Sequence, residues 1–292
     1  MPREVPRPAL ATTTFDGREP TLVFLHGLGG TRRYWSAVTA TLPTLGHRAI
    51  LVDLLGFGDS PKPWFRYTVD RHIDALHACL GALGEICIVG HSMGAALALH
   101  YTARHPQQVR GLCLISVPHY GGLDNAARWL RRNPGGWIYT NMAATALACV
   151  LTRRVAGRLL PRLVRDVPAV VAQDLVKHHM LSSTTSLWEV LYRNDLAIAA
   201  AAVASTLPVS FIHGSIDTTA PIDSARALAS TRPAWEFFTL LGVDHHPWLR
   251  EPSQCAEVIA RWMGALARTC PEHPRGTQPG LDAGQSAREV SR

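Results

Sequence analysis

Lysine is scarce in this chain, and arginine dominates the basic residues. No run of about 18 apolar residues occurs, which argues against a helical membrane span. The opening Met-Pro-Arg-Glu-Val-Pro-Arg-Pro lacks the apolar centre of a secretory leader, so a soluble, cytoplasmic protein is the expectation. Six cysteines (Cys79, Cys87, Cys113, Cys149, Cys255, Cys270) lie far apart, with no Cys-x-x-Cys and no Cys/His cluster. Neither a zinc site nor a disulfide framework is therefore indicated, and several of the cysteines read as small core side chains. There is no Walker loop, and Gly56-Phe57-Gly58 lacks the third glycine of a dinucleotide fingerprint. No metal and no cofactor is expected, and no internal repeat is visible.

Acidic residues are also outnumbered, giving a formal net charge of +7. The excess concentrates in residues 119–207, with ten Lys/Arg (nine arginines plus Lys177) against five Asp/Glu. Such a patch suits anionic substrates, acyl carriers or a membrane surface. The plainer reading is a solvated arginine-rich face, and no nucleic-acid partner is expected.

What is present is an alternation of apolar runs and amphipathic stretches. Hydrophobic residues make up 47% and charged residues 17% of 292, a globular balance with ample length for a core. Residues 1–12, with three prolines, read as a loose N-terminal arm. Strands are expected at 21–25, 49–53, 86–89, 109–117, 209–213 and 236–240. Helical periodicity runs through Tyr34, Trp35, Val38 and Leu42 to a stop at Pro43. Thr68 caps a helix with Val69, Ile73, Leu76, Leu80 and Leu83 on one face and Gly84 as its stop. A short helix is expected at 223–230 and a last one at 253–267, with Ile259, Trp262, Met263 and Leu266 on one face.

At Pro118 the alternation breaks. Residues 119–207 are helical in pattern, rich in Ala, Leu and Arg, and form an insertion between two sheet strands. Repeated strand–helix units imply an α/β class with a mostly parallel twisted sheet covered on both faces. The domain spans 13–268, and residues 269–292, rich in Pro, Gly, Arg and Ser, read as a disordered tail.

The chemistry concentrates at strand ends. Ile86-Cys87-Ile88-Val89 leads into Gly90-His91-Ser92-Met93-Gly94, and an Ala/Leu-rich stretch follows at once. Strand, tight turn and helix would hold the Ser92 hydroxyl proud of the sheet, at a helix N-terminus that favours developing negative charge. A serine needs an imidazole to take its proton and a carboxylate to orient that imidazole. Asp217 follows the strand at 209–213 and His245 follows the strand at 236–240. Nucleophile, acid and base thus occur in the order this turn requires. His246 adjoins His245 and only one of them can face Ser92; Asp244 and Asp223 compete with Asp217.

The chain resembles the α/β-hydrolase superfamily over about residues 20–268. The matching residues are His26-Gly27-Leu28-Gly29-Gly30, Asp53-Leu54-Leu55-Gly56-Phe57-Gly58-Asp59-Ser60, Gly90-His91-Ser92-Met93-Gly94, His213-Gly214-Ser215-Ile216-Asp217 and Gly242-Val243-Asp244-His245. The resemblance implies Ser92 as nucleophile, Asp217 as acid and His245 as base. It implies an oxyanion hole from the backbone N–H groups of Leu28 and Met93, and a cap formed by residues 119–207. Family members place the base three residues after a glycine and seven before a proline; Gly242 and Pro252 meet both for His245.

His26 and His91, beside functional backbone, read as structural, and Asp53 and Asp59 as turn formers. His178 and His179 read as an exposed helix face. The segment Trp137 to Leu151 reads as part of a lid that packs on the core and exposes a few residues inward, with an apolar pocket or lipid docking as alternatives. The resemblance implies a serine hydrolase of a small hydrophobic acyl or carbonyl compound, with a carboxylic ester first and an anionic group compatible with the arginines. A carbon–carbon bond hydrolase of diketone-like compounds keeps the same residues. So do non-hydrolytic relatives (acyltransferases, lyases, cyclases, cofactor-free oxygenases) and, more remotely, ligand-binding receptors.

Overall fold

The computed structural model describes residues 9–36, 46–156 and 168–269. Seven strands form one sheet in the order β1-β3-β2-β4-β5-β6-β7. They are β1 (Thr12–Phe15), β2 (Arg18–Leu25), β3 (His47–Val52), β4 (Ile86–His91), β5 (Val109–Ile115), β6 (Val209–Gly214) and β7 (Trp235–Leu240). Every pairing is parallel except that of β1 with β3.

Parallel central strands are buried on both faces, so their sequences read as continuous apolar runs. Alternate residues nevertheless serve opposite cores. Val23, Leu25, Ile86, Ile88, Leu112 and Leu114 face the helices Val69–Leu80 and Met93–Arg104. Leu22, Phe24, Cys87, Val89, Cys113 and Ile115 face Trp35, Trp248 and the last helix, Pro252–Thr269. Gly111 is needed here, because a Cβ would press on Trp262 and Leu266 of that helix. The five described cysteines are all free.

Strand β1 has no apolar alternation, being Thr-Thr-Thr-Phe with mostly exposed side chains, so nothing in its sequence marks it. Thr12, within the expected arm, opens it. Just before it Leu10 is buried, and the Ala11 N–H donates to Ser60 Oγ at 2.9 Å. Residues 1–8 of the expected arm and 270–292 of the expected tail lie outside the described residues. The helix expected through Tyr34 to Leu42 is seen only as a 3₁₀ turn, Arg32–Trp35, since residues 37–45 also lie outside.

The Thr68-capped helix ends at Leu80, with Gly81 as its C-cap, earlier than the Gly84 expected. Gln108 explains the early stop: its Nε2 donates to the carbonyls of Leu80 and Leu83, satisfying groups that a longer helix would have used.

Among the described residues, the segment 119–207 contains no strand. Its helices are Leu123–Leu130, Gly136–Tyr139, Met142–Leu151, Ala169–Asp174, Met180–Ser186 and Leu196–Ala202, with π-helical turns at Thr152–Ala156 and Leu187–Tyr192. The chain steps outward from β2 to β3 and returns to β4 on the other side of β2. That reversal opens a crevice beyond the carboxyl ends of β2 and β4, the place where ligands bind in open parallel sheets. The insertion is tied to both sides of this crevice. Thr31 Oγ1, after β2, donates to Asp174 at 2.6 Å, and Arg33 pairs with the same carboxylate. From the stretch after β3, the Tyr67 N–H donates to Thr185 Oγ1 at 2.8 Å.

Candidate active site

Strand β4 hands directly to the helix Met93–Arg104, and Ser92 makes the corner at φ 51° and ψ −114°. A left-handed non-glycine residue at a strand–helix corner is strained and persists only where its surroundings over-determine it. Three features do so. The Ser92 N–H donates to the Ile115 carbonyl at 2.9 Å. A Cβ on Gly90 would lie 2.6 Å from the Gly94 carbonyl oxygen. A Cβ on Gly94 would collide with the Leu25 carbonyl at the end of β2. The two glycines therefore let the helix start directly on the sheet and leave Ser92 Oγ at the mouth of the crevice.

Beside it lies the turn after β2. Gly30 N–H closes on the Gly27 carbonyl at 3.1 Å, and Gly29 takes φ 76°. His26 holds this turn from beneath. Its Nε2 accepts from the Leu54 N–H at 3.0 Å, so the proton sits on Nδ1, which donates to the Gly27 carbonyl at 2.8 Å. Burial lowers the pKa of His26 and keeps the ring neutral. Among the described residues no acceptor takes the Leu28 or Met93 N–H, and Met93 opens its helix, where amides have no intrahelical partner.

The loops that carry Asp217 and His245 are closed on one another. A Cβ on Gly214, at the end of β6, would strike the carbonyls of Val243 and Asp244. The Ile216 N–H donates to Val243 at 3.1 Å, and the Gly242 N–H to Ser215 Oγ at 2.9 Å. The result is a line of three side chains. His245 Nε2 lies 3.0 Å from Ser92 Oγ, and His245 Nδ1 lies 2.8 Å from Asp217 Oδ2. Asp217 Oδ1 accepts from the amides of Thr219 and Ala220, both at 2.8 Å. Burial alone would raise the Asp217 pKa, but the charge and hydrogen bonds of His245 and His213 outweigh it and hold the carboxyl far below its usual range.

The competitors are placed elsewhere. His246 turns toward Tyr34, its Nδ1 3.5 Å from the phenol oxygen, and burial together with neighbouring His245 lowers it to about 4. Asp244 is occupied by Arg250 and by the His246 N–H. Asp223 is exposed and faces Arg226. Asp53 is buried as a loop anchor, accepting from the Asp59 N–H at 2.8 Å and pairing with Arg32.

One partner, His213, has no role in the sequence reading, whereas His91, read as structural, is found in a structural contact. His213 Nε2 reaches Asp217 Oδ2 at 3.2 Å, a second ring on the same carboxylate. The only sequence signal was its position four residues earlier on the same strand end. His91 lies stacked on Tyr34 with ring centres 4.7 Å apart, and its Nε2 donates to the His245 carbonyl at 2.8 Å. It thus links the turn carrying Ser92 to the backbone of the base. His178 and His179 are not an exposed face. His178 is buried, in bridge contact with Phe57, and His179 caps the helix Met180–Ser186 and stacks on Trp64.

Among the described residues no group of three or more His, Cys, Asp or Glu is placed to hold a metal ion, and no helix is long and apolar enough to cross a membrane.

Comparison with known proteins gives the same architecture. The chain is 27% identical to an uncharacterised protein of Mycobacterium tuberculosis over 265 residues, covering 85% of this chain and 76% of the relative. It is 24% identical to lipase 1 of Psychrobacter immobilis over 247 residues, covering 81% and 74%. A thermophilic esterase from Thermogutta terrifontis superposes with a TM-score of 0.67 at 21% identity, over 88% of this chain and 93% of that one. The family model of the α/β-hydrolase fold matches residues 20–252, and with the strand order and the serine corner already described, the chain belongs to the α/β-hydrolase family.

Proposed function

We propose that the protein is a serine hydrolase of small hydrophobic carboxylic esters, and the observation that carries this reading is the continuous line Ser92 Oγ–His245–Asp217 at 3.0 and 2.8 Å. Asp217 accepts a hydrogen bond from the Nδ1–H of His245, which keeps that proton on Nδ1 and leaves Nε2 as an acceptor for the Ser92 hydroxyl proton. Ser92 Oγ attacks the ester carbonyl as His245 takes that proton, and the tetrahedral oxyanion forms between the Leu28 and Met93 amides. Each such donor is worth roughly 3–4 kcal/mol in the transition state. His245 returns the proton to the departing alcohol, leaving an acyl group on Ser92. Water, deprotonated by His245, then releases the acid and restores the hydroxyl.

Residues 119–207 act as a cap over this site. The start of the segment reaches the loop of Asp217, with Tyr120 Oη, just before the first helix, and Trp129 Nε1, within it, both donating to the Thr219 carbonyl. The similarity to a lipase and to an esterase fold supports ester chemistry.

A fluorophosphonate probe tests the nucleophile. Wild-type protein is expected to label, and Ser92→Ala to lose labelling together with about 10⁴-fold or more in kcat on a short-chain p-nitrophenyl ester. An unlabelled wild-type protein would overturn the mechanism. Labelling without turnover of any ester, alongside cleavage of a diketone, would move the substrate to the carbon–carbon class.

A further inference from the structure

Residues 125–165 contain eight arginines and no aspartate or glutamate. Within the described part of this stretch, the helix Met142–Leu151 has one buried strip, Thr145 and Cys149, which packs toward the helix Met180–Ser186. On the opposite side, a helix whose neighbour is water carries polar residues. This one presents Ala143, Leu147 and Leu151 at four-residue spacing, with Leu147 59% and Leu151 52% exposed. Exposed Arg154 follows that line into the next turn, while Arg153, four residues after Cys149, lies on the side of His178. The preceding turn, Gly136–Tyr139, adds Trp137 at 56% and Tyr139 at 54% exposure, and Arg131 Nε donates to Thr140 beside them. Among the described residues, no carboxylate pairs with Arg128, Arg131, Arg132, Arg153 or Arg154.

We infer that this face of the insertion docks on the surface of an anionic lipid bilayer. Exposed aliphatic side chains set beside Trp, Tyr and unpaired arginines, with no acidic residue among them, match the chemistry of a helix lying in a bilayer interface. The aliphatic side chains enter the acyl boundary, the rings sit at headgroup depth, and the guanidinium groups meet lipid phosphates. The charge selects the occupant: a neutral apolar partner satisfies the leucines but leaves the arginines without counter-charge, whereas an anionic leaflet satisfies both.

The other side of the same helix leads toward Ser92. Cys149 Sγ lies 3.1 Å from His178 Nε2, His178 bridges to Phe57, and the Phe57 ring meets that of His26 beneath the turn carrying Leu28. Docked in this way, the insertion lies between the bilayer and the crevice, so an apolar ester would arrive from the lipid phase. The inference builds on the esterase reading only for that last step.

Vesicle flotation of the full chain tests it. Wild-type protein is expected to float with phosphatidylcholine vesicles containing about a third phosphatidylglycerol, and far less with phosphatidylcholine alone. Binding should weaken several-fold as NaCl rises from about 0.05 to about 0.3 M. The double variant L147D/L151D should bind about tenfold or more weakly, and R154E several-fold more weakly. L147D/L151D should keep its turnover of a soluble p-nitrophenyl ester, which shows that it folds. Ser92→Ala should float as wild type does, so loss of catalysis and loss of docking are read separately. Absence of flotation, or flotation that the leucine variants leave unchanged, would overturn the proposal. A dimer in light scattering that L147D/L151D splits, with no vesicle binding, would give the face to a second copy of the chain.

Discussion

Asp217 carries more hydrogen bonds than a simple line of three residues needs. Two backbone amides hold Oδ1, while the rings of His245 and His213 share Oδ2. The extra ring is a positioning partner: its Nε2 lies 3.2 Å from both Oδ2 and the Ala220 carbonyl, so it ties the carboxylate to its own loop and restricts where Oδ2 can sit relative to His245. Replacing His213 with Leu removes that donor from both acceptors. A hydrogen bond to a charged group is worth about 1.5 kcal/mol or more, so kcat is expected to fall about tenfold with KM unchanged. Steady-state kinetics on a p-nitrophenyl ester check this, and a variant as active as wild type would show His213 to be packing alone. Ser92, Asp217 and His245 were legible because chain order and strand-end position constrain them. His213 was not, because its role rests on a contact at Asp217 that no local pattern encodes, and His91 was legible as structural without its bond to the His245 carbonyl.

At the scale of elements, the site depends on how closely the helix Met93–Arg104 approaches β2. Gly94 sits against the Leu25 carbonyl, and backbone on backbone has no side chain that can give way. Gly94→Ala is therefore expected to cost about 2 kcal/mol or more in stability and to displace the Met93 amide, lowering kcat as well. Urea unfolding together with fluorophosphonate labelling rates measures both; unchanged stability would show that the helix can shift freely. The apolar runs of the central strands announced their elements because burial on both faces demands apolar residues at every position. Edge strand β1 gave no such sign, since its four residues need only backbone pairing with β3. The helix end at Leu80 depended on Gln108, a residue one helix and one strand further along the chain.

Across the whole molecule, buried neutral histidines set the response to acid. Burial lowers the pKa of His26, His72, His91, His178 and His246, to about 3 at His72 and about 4 at His178 and His246. Unfolded, each takes up a proton near pH 6.5. Between there and the folded values the unfolded chain binds more protons, so their contribution is complete above about pH 6.5 and is lost as pH falls. Asp217 acts in the same direction lower down: its folded pKa is depressed, so its contribution is present above the unfolded carboxyl value and lost below it. The melting temperature is expected to drop by more than about 5 °C between about pH 7.5 and about pH 4.5. Calorimetry checks this, and a flat profile would show these rings to be open to solvent when folded.

The sequence by itself determined the α/β alternation, the serine corner, and the strand ends that carry Asp217 and His245. Each of these follows from local rules: burial of both sheet faces, glycine where backbones cross, and polar residues beyond carboxyl ends. The spacing to Gly242 and Pro252 and the strand-end position favoured His245 and Asp217; only the tertiary structure supplied the contacts that occupy their competitors. His245 and His246 are adjacent in the chain, and they diverge because the His246 ring turns toward Tyr34 while the His245 ring lies between Ser92 and Asp217. The outward leucines of the insertion were equally invisible, because a helix apolar all round does not say which face its neighbours cover.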